Sequence, residues 1–317
     1  MNPPYSLTHD ILLSVISISE KIGQINAKQL DKPAPKLRKE NRIKTIHSSL
    51  GIEGNTLTID QITALLEGEK VIGPQKDILE VHNAIEVYEN LSQFNADSVD
   101  SFLAAHSLLM NGLVSDAGKF RKKGVGIVAG EQIAHLAPPA ENVTYLMNDL
   151  FQFLKEAEEL TLIKSCVFHY ELEFIHPFLD GNGRMGRLWQ TLILMKEYSV
   201  FEFIPFENII QQSQHHYYQA LAESDRQGNS TPFIRYMMNI IDASLTEVLA
   251  IRNRTVTSED RISYFAETTK TPFTRKEYMN VFTDISTATA SRDLKLAVDL
   301  GLFEKEGDKI NTIYRVL

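Results

Sequence analysis

A single cysteine, Cys166, stands in 317 residues, so no internal disulfide can form and the fold does not depend on an oxidising compartment. It sits in the apolar run 162–168 and reads as core packing rather than as a reactive thiol, which would need exposure and a lowered pKa. No stretch approaches about 18 uncharged apolar residues, so no membrane-spanning helix is expected. The start, Met1 to Ser6, lacks a basic region followed by an apolar core; no secretory leader is expected, and the cytoplasm is the expected compartment. Glycine and proline show no bias toward collagen or a flexible linker. Positive charge is in deficit, with a formal net charge of -9, which argues against a surface built throughout to coat nucleic acid. The apolar fraction of 43% and charged fraction of 23% are those of a globular protein, and the length predicts two or three cooperating units.

What is present is helical periodicity, and the chain reads as mostly α. Leu12 to about Leu30 carries an apolar stripe of Leu12, Leu13, Val15, Ile16, Ile18, Ile22 and Ile25, interrupted by Pro33 and Pro35. A second helix, Leu37 to Leu50, is basic at its start and runs into a turn through Gly51, Gly54 and Asn55. Further helices are expected over Thr58 to Leu66, capped by Thr58 with Gln61 three residues on, over Pro74 to Leu91, and from Ser98 toward Gly112. Glycines 118, 124, 126 and 130 and the extended Val125 to Val128 predict a small hairpin or flap within Phe120 to Ile133, closed by Pro138-Pro139. Helical character returns over Val143 to Glu156, Ala157 to Phe174, after Gly183, through Phe203 to Met238, and from Thr231 toward Ala250.

The tail from about Val256 resembles a winged helix in its order of elements. Helices are expected over Ser258 to Thr268, Thr274 to Phe282 and Ser286 to Leu300, then Leu302-Phe303 pairs with Thr312 to Val316 across the turn Gly307-Asp308. The third helix offers Thr287, Thr289, Ser291, Arg292 and Lys295 to a DNA groove. From Ile251 onward there are 11 basic and 10 acidic side chains, against an acidic remainder. That balance permits DNA contact without demanding it, and a protein-binding or dimerisation module fits equally.

The chemistry concentrates in residues 176–187. Pro177 ends one helix, a new one begins near Asn182 or Gly183, and Asp180-Gly181-Asn182-Gly183 is a tight loop delivered onto its N-terminus. Free amides and the helix dipole there favour phosphate oxygens. The run is not a P-loop, having no G-x-x-x-x-G-K-S/T. Its Gly181-x-Gly183-x-x-Gly186 follows a helix rather than a strand, which excludes a dinucleotide fingerprint. Asp180 is a hard ligand suited to Mg²⁺ shared with phosphates. Arg184 and Arg187, three apart, share one helix face for charge neutralisation, and His176 suits proton abstraction from an attacking hydroxyl.

His176 to Arg187 resembles the Fic-domain signature H-P-F-x-D/E-G-N-G-R-x-x-R at every specified position. The resemblance implies a helical core with a flap, and AMP transfer from ATP to a Ser, Thr or Tyr hydroxyl of a protein, self-modification included. It implies His176 as general base and Asp180 as holder of Mg²⁺. It further implies that the Asn182 side chain and the Gly181 and Gly183 amides bind phosphate, with Arg184 and Arg187 on the phosphates. Tyr217 and Tyr218, in a Tyr-Tyr-x-Ala-Leu run, line the nucleotide site, with Tyr217 preferred, or pack in the core. The flap from Gly118 to Val128 resembles the hairpin on which the family lays an extended target.

Ser49-x-x-x-Glu53-Gly54 resembles the family's inhibitory motif S/T-x-x-x-E-G/N. The resemblance implies that Glu53 pairs with Arg187 and takes the space of the γ-phosphate. The expected organisation is a helical region with the inhibitory motif at 1–95, a catalytic core at 96–250 and the winged helix at 251–317, assembled as a homodimer. Rival readings are a de-AMPylating hydrolase, a transferase using another nucleotide or phosphate donor, and a DNA-binding regulator that senses nucleotide.

Overall fold

The computed structural model describes residues 3–27, 35–129, 132–251, 257–269, 271–282, 285–307 and 312–317. Its first helix, α1 (His9–Ala27), is amphipathic as predicted, but its buried face differs. Ile11, Ile18, Ile22 and Ile25 are buried, while Leu12, Leu13 and Ile16 are exposed. Spacings of seven, four and three residues put the buried set on one stripe. Lys21 fastens this helix to Asp242 at 2.6 Å. The predicted continuation to Leu30, and Pro33, lie outside the described residues.

Then come α2 (Pro35–Ile52), α3 (Ile59–Leu66), α4 (Gln75–Glu89) and α5 (Val99–Leu109). The predicted capping box on α3 is formed: Thr58 Oγ1 accepts from the Gln61 amide and the Gln61 side chain accepts from the Thr58 amide, a device contributing about 1 kcal/mol. The flap is a two-stranded antiparallel hairpin, β1 (Gly126–Ala129) and β2 (Gln132–Leu136), with Gly126 opposite Leu136 and an irregularity between Ile127 and Val128. After it run α6 (Ala140–Glu156), α7 (Thr161–Ile175), α8 (Asn182–Met195), α9 (Phe206–Gln212), α10 (Gln214–Gln227) and α11 (Thr231–Ile251).

The core that carries the site is aromatic. Phe102 of α5 meets Trp189 of α8 edge-on at 5.0 Å, Phe151 of α6 at 5.6 Å and, stacked, Phe178 of the loop between α7 and α8 at 5.3 Å. The indole N–H of Trp189 finds its partner in the Ala96 carbonyl at 2.9 Å. Gly186 lets α7 and α8 approach closely, since a Cβ there would stand 2.6 Å from the His169 ring. Cys166 is fully buried and its thiol pKa is pushed up to about 12 by desolvation, the state of an inert core residue.

Residues 1–31 and 41–248 form one compact unit and residues 32–40 with 249–317 another, so Ser49, Glu53 and the 176–187 run share the first unit. The second contains α12 (Ser258–Thr268), α13 (Arg275–Val281), α14 (Thr287–Asp299) and the antiparallel pair β3 (Phe303–Glu306) and β4 (Ile313–Val316). Capping boxes Thr257/Asp260 and Thr274/Glu277 start α12 and α13. Phe273 bridges Tyr314, an edge pairing that the sequence pattern did not reveal. Asp308 of the predicted turn lies outside the described residues. No helix among the described residues is long and apolar enough to cross a membrane.

Candidate active site

Helix α7 is buried over nearly its whole length, its polar Ser165, His169, Glu171 and Glu173 included, and stops at His176, ahead of Pro177. His176 has φ 49° and ψ 62°, the one non-glycine with positive φ among the described residues. A side chain in that region costs about 1 kcal/mol or more and persists where the surroundings over-determine it. The ring Nδ1 lies 3.3 Å from the Glu173 carbonyl oxygen. Nδ1–H therefore donates, and the neutral ring keeps its lone pair on Nε2, the tautomer that a general base requires.

Gly181 caps α8 with φ 88°. A Cβ there would meet Met110 Sδ at 2.8 Å, so both backbone and space demand glycine. The Asn182 side chain bonds within its own loop. Its Oδ1 accepts from the Phe178 amide at 2.9 Å and its Nδ2 donates to the Phe178 carbonyl at 3.0 Å. The side chain shapes the loop, and the first turn of α8 presents its backbone donors beside it.

Both arginines are buried and both are held by carboxylates. Arg184 donates to Glu80 Oε1 at 3.1 Å and to Asp180 Oδ1 at 2.9 Å. Arg187 donates through Nε to Ser49 Oγ at 3.1 Å, and through Nη2 to the Ser49 carbonyl at 2.9 Å and Glu53 Oε1 at 2.7 Å. Burial works against the Arg187 charge, but the adjacent Glu53 carboxylate holds its pKa above the ordinary value. Among the described residues Arg187 Nη1 and Arg184 Nε are buried without a hydrogen-bond partner, which is a demand for acceptors that phosphate oxygens would meet.

The ending of α2 explains the glycine beside Glu53. Gly54 is left-handed at φ 91°, and its amide donates to Gly51 O while that of Asn55 donates to Leu50 O, both at 3.1 Å. This double closure is a Schellman ending, and it leaves Glu53 at the helix C-terminus, where the dipole disfavours a carboxylate. Arg187 and the first turn of α8 offset that. A Cβ on Gly183 would run into Glu53 Oε1, so the carboxylate lies where an anion would enter the cradle.

Four further residues complete the site. Glu80 of α4 holds Arg184 and accepts from Asn55 Nδ2 at 2.8 Å, linking the turn after Glu53 to the motif. His106 of α5 stacks on Phe178 at 3.5 Å. Its Nδ1 accepts from the Gly118 amide at 2.8 Å, so Nε2–H donates to the Asp180 carbonyl at 3.0 Å. Burial lowers its pKa to about 4, which keeps that neutral form. Arg121 donates to four main-chain carbonyls around His176. The fourth is Tyr218, the neighbour of Tyr217. The Tyr217 ring is fully buried, with its hydroxyl 3.0 Å from His169 Nε2, so of its two readings the structure takes core packing. Tyr218 is the exposed member of the pair.

A family model described as Fic/DOC matches residues 96–194. The chain superposes on a crystal structure of a Fic family protein from Desulfovibrio desulfuricans G20 with a TM-score of 0.77 and 39% identity, covering 100% of this chain and 98% of the other. The chain belongs to the Fic family. It is 29% identical over 256 residues to the protein adenylyltransferase Fic of Nematostella vectensis, covering 77% of this chain and 57% of that one. It is 28% identical over 269 residues to protein adenylyltransferase fic-1 of Caenorhabditis elegans, covering 81% and 50%. The chain thus spans about half the length of these curated relatives. The solved Fic-1 fragment from Caenorhabditis elegans shares the fold at a TM-score of 0.62 and 23% identity.

Within this Fic chain the donor set fits ATP with Mg²⁺. Asp180 is 46% exposed at its side chain and its Oδ1 is committed to Arg184 and, at 2.6 Å, to the Gly181 amide. Its outward oxygen is a hard donor of the kind Mg²⁺ takes when phosphates supply other ligands. The glycine cradle and the orphaned guanidinium nitrogens fit the phosphates themselves.

Proposed function

We propose that the protein is an adenylyltransferase held in a self-inhibited state, transferring AMP from ATP to a hydroxyl of a protein, its own chain included. The observation that carries this reading is the Glu53–Arg187 pair of 2.7 Å set against the first turn of α8. Arg187 is fully buried and Glu53 26% exposed at the side chain. The latch thus has one fixed half and one half facing solvent.

In the proposed reaction His176 Nε2 takes the proton of the target hydroxyl as its oxygen attacks the α-phosphorus, and the bond to pyrophosphate breaks. The α8 amides, Arg184 and Arg187 hold the phosphates and spread their charge. Mg²⁺ on Asp180 would add Lewis-acid neutralisation of that charge. While Glu53 occupies Arg187, the terminal phosphate loses a cationic partner and faces a carboxylate. Nucleotide then sits without alignment for attack. Tyr218, rather than Tyr217, is the tyrosine we assign to the nucleotide.

The test is incubation of the Glu53→Gly chain with Mg²⁺ and ATP labelled at either the α or the γ position, read by mass on protein. Label from the α position alone, at least about tenfold above wild type, is expected. Label from γ would make the enzyme a phosphotransferase, and equal labelling of the two chains would remove Glu53 from the inhibitory role. For the tail we propose a winged helix whose α14 exposes Thr287, Arg292 and Lys295. Binding of the full chain to duplex DNA that weakens with salt supports that reading.

A further inference from the structure

We propose that Arg121 is a positioning residue for His176 and binds the base to both stems of the flap. The proposal rests on the transferase reading above. Arg121 is buried at 3% exposure, and its side-chain bonds all run to main-chain oxygens. Nε donates to His176 O at 2.7 Å, Nη2 to Ile175 O at 3.1 Å and to Pro138 O at 2.6 Å, and Nη1 to Lys123 O at 2.9 Å. Its own amide donates to Pro177 O at 2.9 Å.

These five acceptors form two groups. Ile175, His176 and Pro177 are the end of α7 and the start of the motif loop, where a guanidinium satisfies orphan carbonyls and meets the negative end of the dipole. Lys123 precedes β1 and Pro138 follows β2, so one planar side chain spans both feet of the hairpin. Fixing the His176 carbonyl fixes its ψ, and the left-handed backbone sets where the ring points. The strain at φ 49° needs such over-determination. An ammonium cannot replace the fork, because it is a point charge without the planar spread of donors.

His106 supplies an independent tether of the same kind, joining Gly118 to the Asp180 carbonyl. It holds the metal-binding end of the loop, whereas Arg121 holds the base end. The loop before the flap therefore grips the motif at two points.

The experiment uses the full chain carrying Glu53→Gly, alone and combined with Arg121→Gln, Arg121→Lys or Arg121→Ala. Self-labelling from α-labelled ATP, affinity for a non-hydrolysable ATP analogue and ring ¹⁵N spectra of His176 are measured. Arg121→Gln is expected to lower the turnover rate about 100-fold and leave analogue affinity within about twofold, with Arg121→Lys recovering little. Added guanidinium is expected to restore Arg121→Ala. The His176 spectrum is expected to pass from a single Nδ1–H tautomer to a mixture. Turnover of Arg121→Gln within about threefold of its parent overturns the proposal, as does a loss of analogue affinity that accounts for the whole effect. If the parent transfers no α label, the transferase reading fails by itself. The spectra then decide Arg121, and an unchanged tautomer overturns its role. Should Arg121→Gln not fold, Arg121→Lys decides: full turnover would overturn the need for the fork.

Discussion

Helices α2 and α7 both finish on a left-handed residue, Gly54 at φ 91° and His176 at φ 49°, and they reach that geometry by different means. The α2 ending uses glycine and two main-chain bonds, and nothing lies within 4 Å of where a Gly54 Cβ would stand. The α7 ending forces a histidine into the same region and surrounds it with Arg121, Glu173 and Pro177. An ending of the first kind is cheap to form and cheap to undo, which suits the proposed role of Glu53 as a carboxylate that leaves. The second kind is costly and braced, which suits the proposed role of His176 as a base that stays.

The comparison can be broken most severely at the braced end. His176→Ala in the Glu53→Gly background is expected to lower AMP transfer about 10³-fold, in the range of a lost general base, while the affinity for an ATP analogue holds. A smaller loss would leave the α7 ending with no catalytic purpose. At the yielding end, Gly54→Ala places a Cβ at φ 91°, a strain of about 1–2 kcal/mol. It is expected to raise self-labelling of the otherwise native chain by about 5- to 30-fold, without exceeding Glu53→Gly. A silent Gly54→Ala would mean that the turn does not hold the latch.

The smallest effect sharpens the comparison from beneath α2. Glu207 of α9 is fully buried, near Thr45 and Arg187, and desolvation raises its pKa to about 8. Arg187 thus has Glu207 as well as Glu53 and Glu173 in range, and the fully buried Glu207 stays protonated at neutral pH. The unfolded chain releases this proton near the ordinary glutamate value and the folded chain only near 8. The associated stability is therefore complete at low pH and is lost as pH rises from about 4.5 through 8. Glu207→Gln is expected to flatten that decline and raise Tm by about 2–6 °C at pH 8, with no gain below pH 4.5, read by thermal unfolding across pH. Glu171, raised to about 7 by burial and by Asp225, keeps a residual slope in the variant.

Local chemistry made much of this legible in sequence. The proline and the glycines announce the 176–187 loop, and the cap at Thr58 forms where polar spacing put it. The pairing of Glu53 with Arg187 followed from a family pattern, not from spacing, since 134 residues separate them. Glu80 and Arg121 escaped notice for a physical reason. Glu80 reads as a helix-surface acid until tertiary packing buries it against Arg184, 104 residues away. Arg121 has main-chain partners, which no side-chain pattern encodes. Periodicity found the amphipathic α1 but chose its face wrongly at Leu12, Leu13 and Ile16, because adjacent apolar residues offer two stripes and only the neighbours select one. The burial of Tyr217 beside His169, 48 residues away, likewise depends on tertiary packing.

Gly183 carries an implication for how this enzyme can acquire mutations. The void that its missing side chain leaves is filled by the Glu53 carboxylate, and in the proposed reaction the same void belongs to the phosphate cradle. Any residue added there evicts the inhibitor and damages the cradle in a single change. A selection for constitutive transfer would therefore return substitutions on the α2 side, at Ser49, Glu53 and Gly54, and leave position 183 blank.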